Sequence, residues 1–243
     1  MEKIQIIPAI IPESFEHLRA QLSLVRGVCP LVQIDIVDGV FAPTITWPFD
    51  STQGKPFNFA HDRSFIDEHF KKIIEQKEGI PFWQDFNFEI DLMIQNPEKT
   101  IDDWLGIGAI SLIIHIESTN EIKKIIDKIK NANIAVGVSL NPSTPNEKIY
   151  PLIKKINFVQ FMGNDKIGYH GVELDKRVYQ KIKNLKNKYP ELPISIDIGV
   201  SHETIPLLIE AGANKLISGS AIFNADNIEE TFDELKNLAT SKI

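Results

Sequence analysis

The sequence predicts a single α/β domain of the (β/α)8 class, a closed barrel of eight parallel strands each followed by a helix. Short runs rich in Ile and Val recur from end to end of the 243-residue chain. They lack a sustained polar alternation, as strands buried on both faces do. Longer amphipathic stretches separate them, several opened by proline or a small polar residue. No GxGxxG follows the first run and the spacing is even, which favours closure over an open doubly wound sheet.

In chain order the strand candidates are "IQIIPAI" (4–10), "LVQIDIV" (31–37), "FEIDLMI" (88–94), "SLIIHI" (111–116), "IAVGVSL" (134–140), "NFVQFM" (157–162), "ISIDI" (194–198) and "KLISG" (215–219). Asn96-Pro97 opens a helix near 97–105, Ser118-Thr119 one near 119–131, and Thr144-Pro145 one near 145–154. Ser201 precedes a helix over 202–211, and Gly212 stands where a left-handed C-cap belongs. One unit is irregular. Roughly fifty residues separate the second and third strands, far more than an ordinary βα connection. They include an insertion at about 40–63 and a helix near 64–77. The insertion leaves the C-terminal end of a strand, the rim where such barrels carry their chemistry, so it reads either as a lid or as a packing flap.

Composition narrows the function classes. The formal net charge is -7 and the charges are spread along the chain. That argues against a nucleic-acid footprint or a polybasic membrane patch, so an anionic ligand would need a local site. Cys29 is the single cysteine, which rules out an intrachain disulfide or a multi-cysteine metal cluster and fits a core thiol. The N-terminal apolar run is broken by Pro8 and Pro12 and is too short for a signal segment or a membrane span. A cytoplasmic protein is expected.

Polar residues in apolar strands mark the site. Asp35, Asp91 and Asp197 each interrupt a strand run. If all three point inward, three carboxylates converge on one mouth, which is unfavourable unless a cation lies between them or some are protonated. Singly, each could instead cap a following helix or satisfy loop amides. Gly199 follows the seventh strand, and Gly219 and Ser220 follow the eighth. Backbone amides at those two strand ends form the common phosphate site of this fold, although glycines there also serve tight turns.

These residues resemble the ribulose-phosphate 3-epimerase family over essentially the whole chain. "DIVDGVFAPTIT" is similar to that family's strand-two signature, "DLMIQNP" to its "HLMVENP", "VSLNPSTP" to its "LNPGTP", "SIDIGV" to its "VDGGI" and "ISGSAIF" to its "VAGSAIF". The resemblance implies a barrel of the ribulose-phosphate-binding type and interconversion of ribulose 5-phosphate and xylulose 5-phosphate. Asp35 and Asp197 match the family's acid/base pair, which passes a proton at C3 through an enediolate. It also implies a divalent metal held with two histidines, but those positions are Gln33 and Asp91 here. The resulting oxygen set of Gln33, Asp35, Asp91 and Asp197 favours Mg or Mn over Zn. A metal-free site is the alternative, with Lys166 or His170 of the sixth-strand loop supplying positive charge. Gly168 and Gly171 on that loop would approach the phosphate. Met93, Met162 and His115 match positions around the family's pocket.

The resemblance therefore implies an isomerase with a phosphorylated ketose as its partner. Two other readings stand beside it. One is an epimerase or isomerase of another ketose phosphate, such as a hexulose 6-phosphate; the other is a phosphosugar-binding barrel without turnover. Related barrels often associate, which leaves a homo-oligomer open.

Overall fold

The computed structural model describes residues 4–49, 66–169 and 172–240. Eight strands form it: β1 (Gln5–Ile10), β2 (Leu31–Val37), β3 (Asn87–Met93), β4 (Ser111–His115), β5 (Ala135–Leu140), β6 (Phe158–Met162), β7 (Ile194–Asp197) and β8 (Lys215–Ser218). All pair in parallel, in sequence order, and β8 returns to β1 to close the barrel. Each expected strand run is thus found.

Strand alternation divides the side chains between two compartments. Val32, Ile34 and Ile36 of β2, Ile90 and Leu92 of β3, Val136 and Val138 of β5, and Ile194 and Ile196 of β7 turn outward. They form one continuous apolar layer with the helices, including Phe15, Leu18 and Leu22 of α1 (Phe15–Leu24) and Ile125, Ile126 and Ile129 of α4 (Ile122–Asn131). Both strand faces are covered, which is why the runs read as continuous apolar segments. Of the inward positions, Ile7, Ala9 and Ile217 form one apolar patch, while Val37, Met93 and Met162 form a mouth cluster with Ala42 and Ile167 of the following loops. At the N-terminal base, Lys215 forms a buried ion pair with Glu89, and its ammonium lies 4.0 Å from the ring centroid of Phe158. Gly137 makes room for that ring, since a Cβ there would lie 2.5 Å from it.

The helical expectations need correction at their ends. The stretch near 145–154 is not an α-helix but two short 3-10 segments, Asn146–Lys148 and Tyr150–Lys155. Pro151 falls in the second segment and lacks the N–H that an α-helical ladder needs. The helix near 97–105 is a 3-10 turn over Pro97–Lys99 followed by α3 (Ile101–Leu105). The one near 119–131 starts later, at Ile122, because Thr119 instead donates to Glu98 and accepts the Glu121 amide. The helix expected near 64–77 is α2 (Glu68–Ile74), capped by Asp67. Past α5 (Arg177–Lys188), the helix expected over 202–211 is α6 (Ile205–Ala211). Gly212 ends it at a φ of +110°, as expected of a left-handed cap. The chain closes with α7 (Ser220–Phe223) and α8 (Ile228–Thr240).

Much of the expected 40–63 insertion, together with His170 and Gly171, lies outside the described residues. The described start of the insertion is tied down. The Asp38 carboxylate accepts the amides of Val40 and Phe41 at 2.8 and 2.9 Å and that of Gln95 at 2.8 Å. Trp47 is buried against Phe15 and Phe70, and its indole donates to Asp67 at 2.9 Å. The second acid of "DIVDG" is therefore a bracket between the loops after β2 and β3. Asp38→Ala would strand three amides and is expected to cost about 2–3 kcal/mol. Urea unfolding measures this, and a loss below about 0.5 kcal/mol would show that the bracket is dispensable.

Candidate active site at the barrel mouth

Parallel register brings two acids side by side, because Asp35 on β2 is the direct partner of Asp91 on β3. Asp197, the last residue of β7, completes the group. One carboxylate oxygen from each lies within 4.8 Å of the others, and all three residues are buried. Their hydrogen bonds come from inside the barrel. Gln33 Nε2 donates to Asp35 Oδ1 at 2.8 Å and to Asp197 Oδ2 at 3.3 Å. Asp91 is held from the other side, with His115 Nε2 3.0 Å from Oδ1 and Gln160 Nε2 donating to Oδ2 at 2.8 Å. Ser195 in turn donates to Gln160 Oε1 at 3.2 Å.

Electrostatics follow from this packing. Burial, then the charges of Asp197 and Asp91, push the Asp35 carboxyl well above the usual carboxylate range, and the Gln33 hydrogen bond offsets only part of this. Burial and the Asp91 charge raise Asp197 from about 3.8 to about 7, against the opposing pull of the Ile198 amide and His115. Burial pulls His115 downward, but the charge and hydrogen bond of Asp91, with Glu117 and Asp197 beyond, leave it raised overall. Asp197 is thus brought to about 7, and Asp35 and His115 are shifted upward with it.

Above the acids opens a cavity of about 650 Å³. Asp35 and Asp197 reach its lining, whereas Asp91 lies behind them, fully buried. Met93, Met162 and Ala9 wall the inner end. Gly199, Gly219, Ser220 and Gly168 line the same cavity. Lys166 is exposed and absent from that lining; its amide closes a turn on Asn164 Oδ1. The lysine that does line the cavity is Lys176, which the sequence did not single out. Gln33 turns its NH2 group towards the acids rather than an oxygen, and its Oε1 is buried with no donor. Gln160 was also missed: it is a polar intrusion in an apolar strand, as the acids are, but unlike Gln33 it was marked by no motif of the similar family.

The donor set fits a divalent cation. Three buried carboxylates share one small space, and turning over the Gln33 amide would add its unpartnered oxygen to theirs. An acid with a raised folded-state pKa weakens folding as pH climbs from the unfolded value towards the folded one. For Asp197 that window runs from about 3.8 to about 7 and corresponds to a loss on the order of 4 kcal/mol. Melting of chelator-treated protein is therefore expected to fall between pH 4 and 8. Asp35→Asn should raise Tm at pH 8 and change it little at pH 4, and a variant that melts lower than wild type at pH 8 would contradict the like-charge account.

Comparison with known proteins agrees with the geometry. The sequence profile of the Ribulose-phosphate 3 epimerase family matches residues 60–223. The ribulose-phosphate 3-epimerase of Bacillus subtilis is 29% identical over 239 residues, covering 96% of this chain and 98% of its own. That of Schizosaccharomyces pombe is 26% identical over 238 residues, covering 98% and 94%. Among solved structures, KGPDC from Streptococcus mutans superposes with a TM-score of 0.69 at 12% identity, covering 97% of each chain. A 3-hexulose-6-phosphate synthase superposes at 0.63 with 18% identity, covering 98% of this chain and 99% of its own. These two likenesses establish the shared barrel fold. With its matched profile, full-length relatives and closed barrel, the chain belongs to the ribulose-phosphate 3-epimerase family.

Proposed function

We propose that the protein is a 3-epimerase that interconverts ribulose 5-phosphate and xylulose 5-phosphate. The observation that carries this reading is that Asp35 and Asp197, and not Asp91, reach the cavity, each on its own strand. Inversion at C3 needs one group to take a proton from one face of the carbon and another to return a proton to the opposite face. Asp35 and Asp197 fill these two roles. Asp197, titrating near 7, can hold a proton or release it at working pH without a large penalty in either direction.

The remaining residues position the substrate and the acids. The turns at Gly199 and at Gly219-Ser220 offer backbone amides to the phosphate, with Gly168 beside them in the cavity lining. Met93 and Met162 give the inner end of the cavity an apolar wall beside the carboxylates. Asp91 anchors His115 and Gln160, while Gln33 ties Asp35 to Asp197. A divalent cation, Mg or Mn by the all-oxygen donors, would be held by Asp35, Asp91 and Asp197 and would stabilise negative charge developing on the substrate. A second reading takes a hexulose 6-phosphate as substrate. It is supported by the size of the cavity, about 650 Å³, which accommodates either chain.

The test is deuterium wash-in at C3 of ribulose 5-phosphate in D2O, followed by proton NMR on chelator-treated protein with Mg, Mn, Fe or Zn restored in turn. Exchange is expected to return most strongly with Mg or Mn. Asp197→Asn should lower exchange about 10³-fold with substrate binding nearly unchanged; exchange at the wild-type rate would remove Asp197 from the mechanism. Asp91→His should move metal preference towards Zn, read by elemental analysis after loading from an equimolar mixture. An unaltered metal content would remove Asp91 from the donor set.

A further inference from the structure

At the end of β7 the backbone adopts a conformation that β-branched residues avoid. Ile198 has a φ of +75°, in the left-handed region where its Cβ crowds the adjoining carbonyl. The neighbouring backbone locks it there. The Gly163 amide donates to the Asp197 carbonyl at 2.5 Å, and the Asp175 amide donates to the Gly163 carbonyl at 2.6 Å. A Cβ on Gly163 would overlap the Ile198 carbonyl, and one on Gly199 would lie 2.7 Å from the Leu174 nitrogen. Two glycines with no room for a side chain therefore let the end of β6 and the 174–175 segment close on the Ile198 peptide. Strain of this kind persists only where the surroundings over-determine it, and it gathers at functional sites.

The clamped peptide acts on Asp197. Its N–H donates to Asp197 Oδ1 at 2.7 Å, while Gln33 holds Oδ2 from inside the barrel. Glycine would reach the same φ without strain, so the turn alone does not call for isoleucine. What isoleucine adds is its side chain, which lines the cavity and packs on the mouth cluster of Val37, Ala42, Met93, Met162 and Ile167.

We propose that Ile198 is a positioning residue: its locked left-handed peptide and apolar side chain hold the Asp197 carboxylate in one orientation towards the substrate. This rests on the reading of Asp197 as a proton carrier. Crystal structures, melting and steady-state kinetics of I198G, I198A and I198V test it. I198V is expected to keep one Asp197 orientation and a kcat within about twofold of wild type. I198G should show a second Asp197 orientation and a kcat lowered about tenfold, with KM within about twofold. I198G should also melt above I198A, because only glycine relaxes at this φ; the reverse order would overturn the claim of strain. An unchanged Asp197 orientation and an unchanged kcat in I198G would overturn the positioning role. Wild-type protein inactive on every ketose phosphate would instead defeat the functional reading, and the Asp197 orientation in the I198G crystal would still decide this one.

Discussion

Three carboxylates buried within reach of one another are the constraint around which the rest of this barrel is arranged. Burial leaves little water to screen them, so their repulsion must be met by protons, by hydrogen bonds from amide and imidazole groups, or by a cation. The interior supplies the second remedy with unusual thoroughness for an apolar strand set. Gln33 ties two of the acids together, and His115 and Gln160 hold the third, with Ser195 behind Gln160. None of these polar residues would be tolerated on the outward strand faces, where the helices pack. The alternation of the strands makes their coexistence with an apolar exterior layer workable.

The same arrangement separates stability from function in space. The helix-facing layer carries the Ile, Val and Leu burial, whereas the barrel interior carries charge whose net effect opposes folding at neutral pH. A fold with a large outer core can tolerate such an interior because the two layers share only the strand backbones. The acids also have different surroundings. Asp35 and Asp197 face a cavity, while both oxygens of Asp91 are engaged by neighbours. Carboxyl groups of one residue type thus divide into two that line the cavity and one set behind them.

Much of the fold was legible in the sequence because the strands are buried on both faces, which leaves a strong apolar signature, and because Gly212 marks a helix end plainly. Helix starts were less legible. Thr119 and the Pro151 region obey local hydrogen-bonding needs that a periodicity reading does not weigh. At the site, the three acids could be found as polar intrusions in apolar runs. Gln160 carried the same signal and was passed over because an amide suggests no chemistry by itself. Asp38 could not be told from Asp35 by residue type. One is a bracket and the other lines the cavity, and only the direction of each side chain separates them. Ile198 left no mark in composition or periodicity; its one sign in the sequence is that it follows Asp197 where the similar motif "VDGGI" has a glycine, and the contacts with β6 and the 174–175 segment that hold its φ are remote in sequence.

The base of the barrel has a consequence for how the interior communicates with solvent. Lys215, Glu89 and Phe158, with Gly137 admitting the ring, stop the N-terminal end with an ion pair capped by an aromatic face. That end is thereby plugged, and the cavity lined by Asp35 and Asp197 opens at the opposite, C-terminal end of the strands. A ligand seated there acts as its own stopper. While it remains, it stands between the two cavity-lining carboxyls and the solvent beyond the mouth.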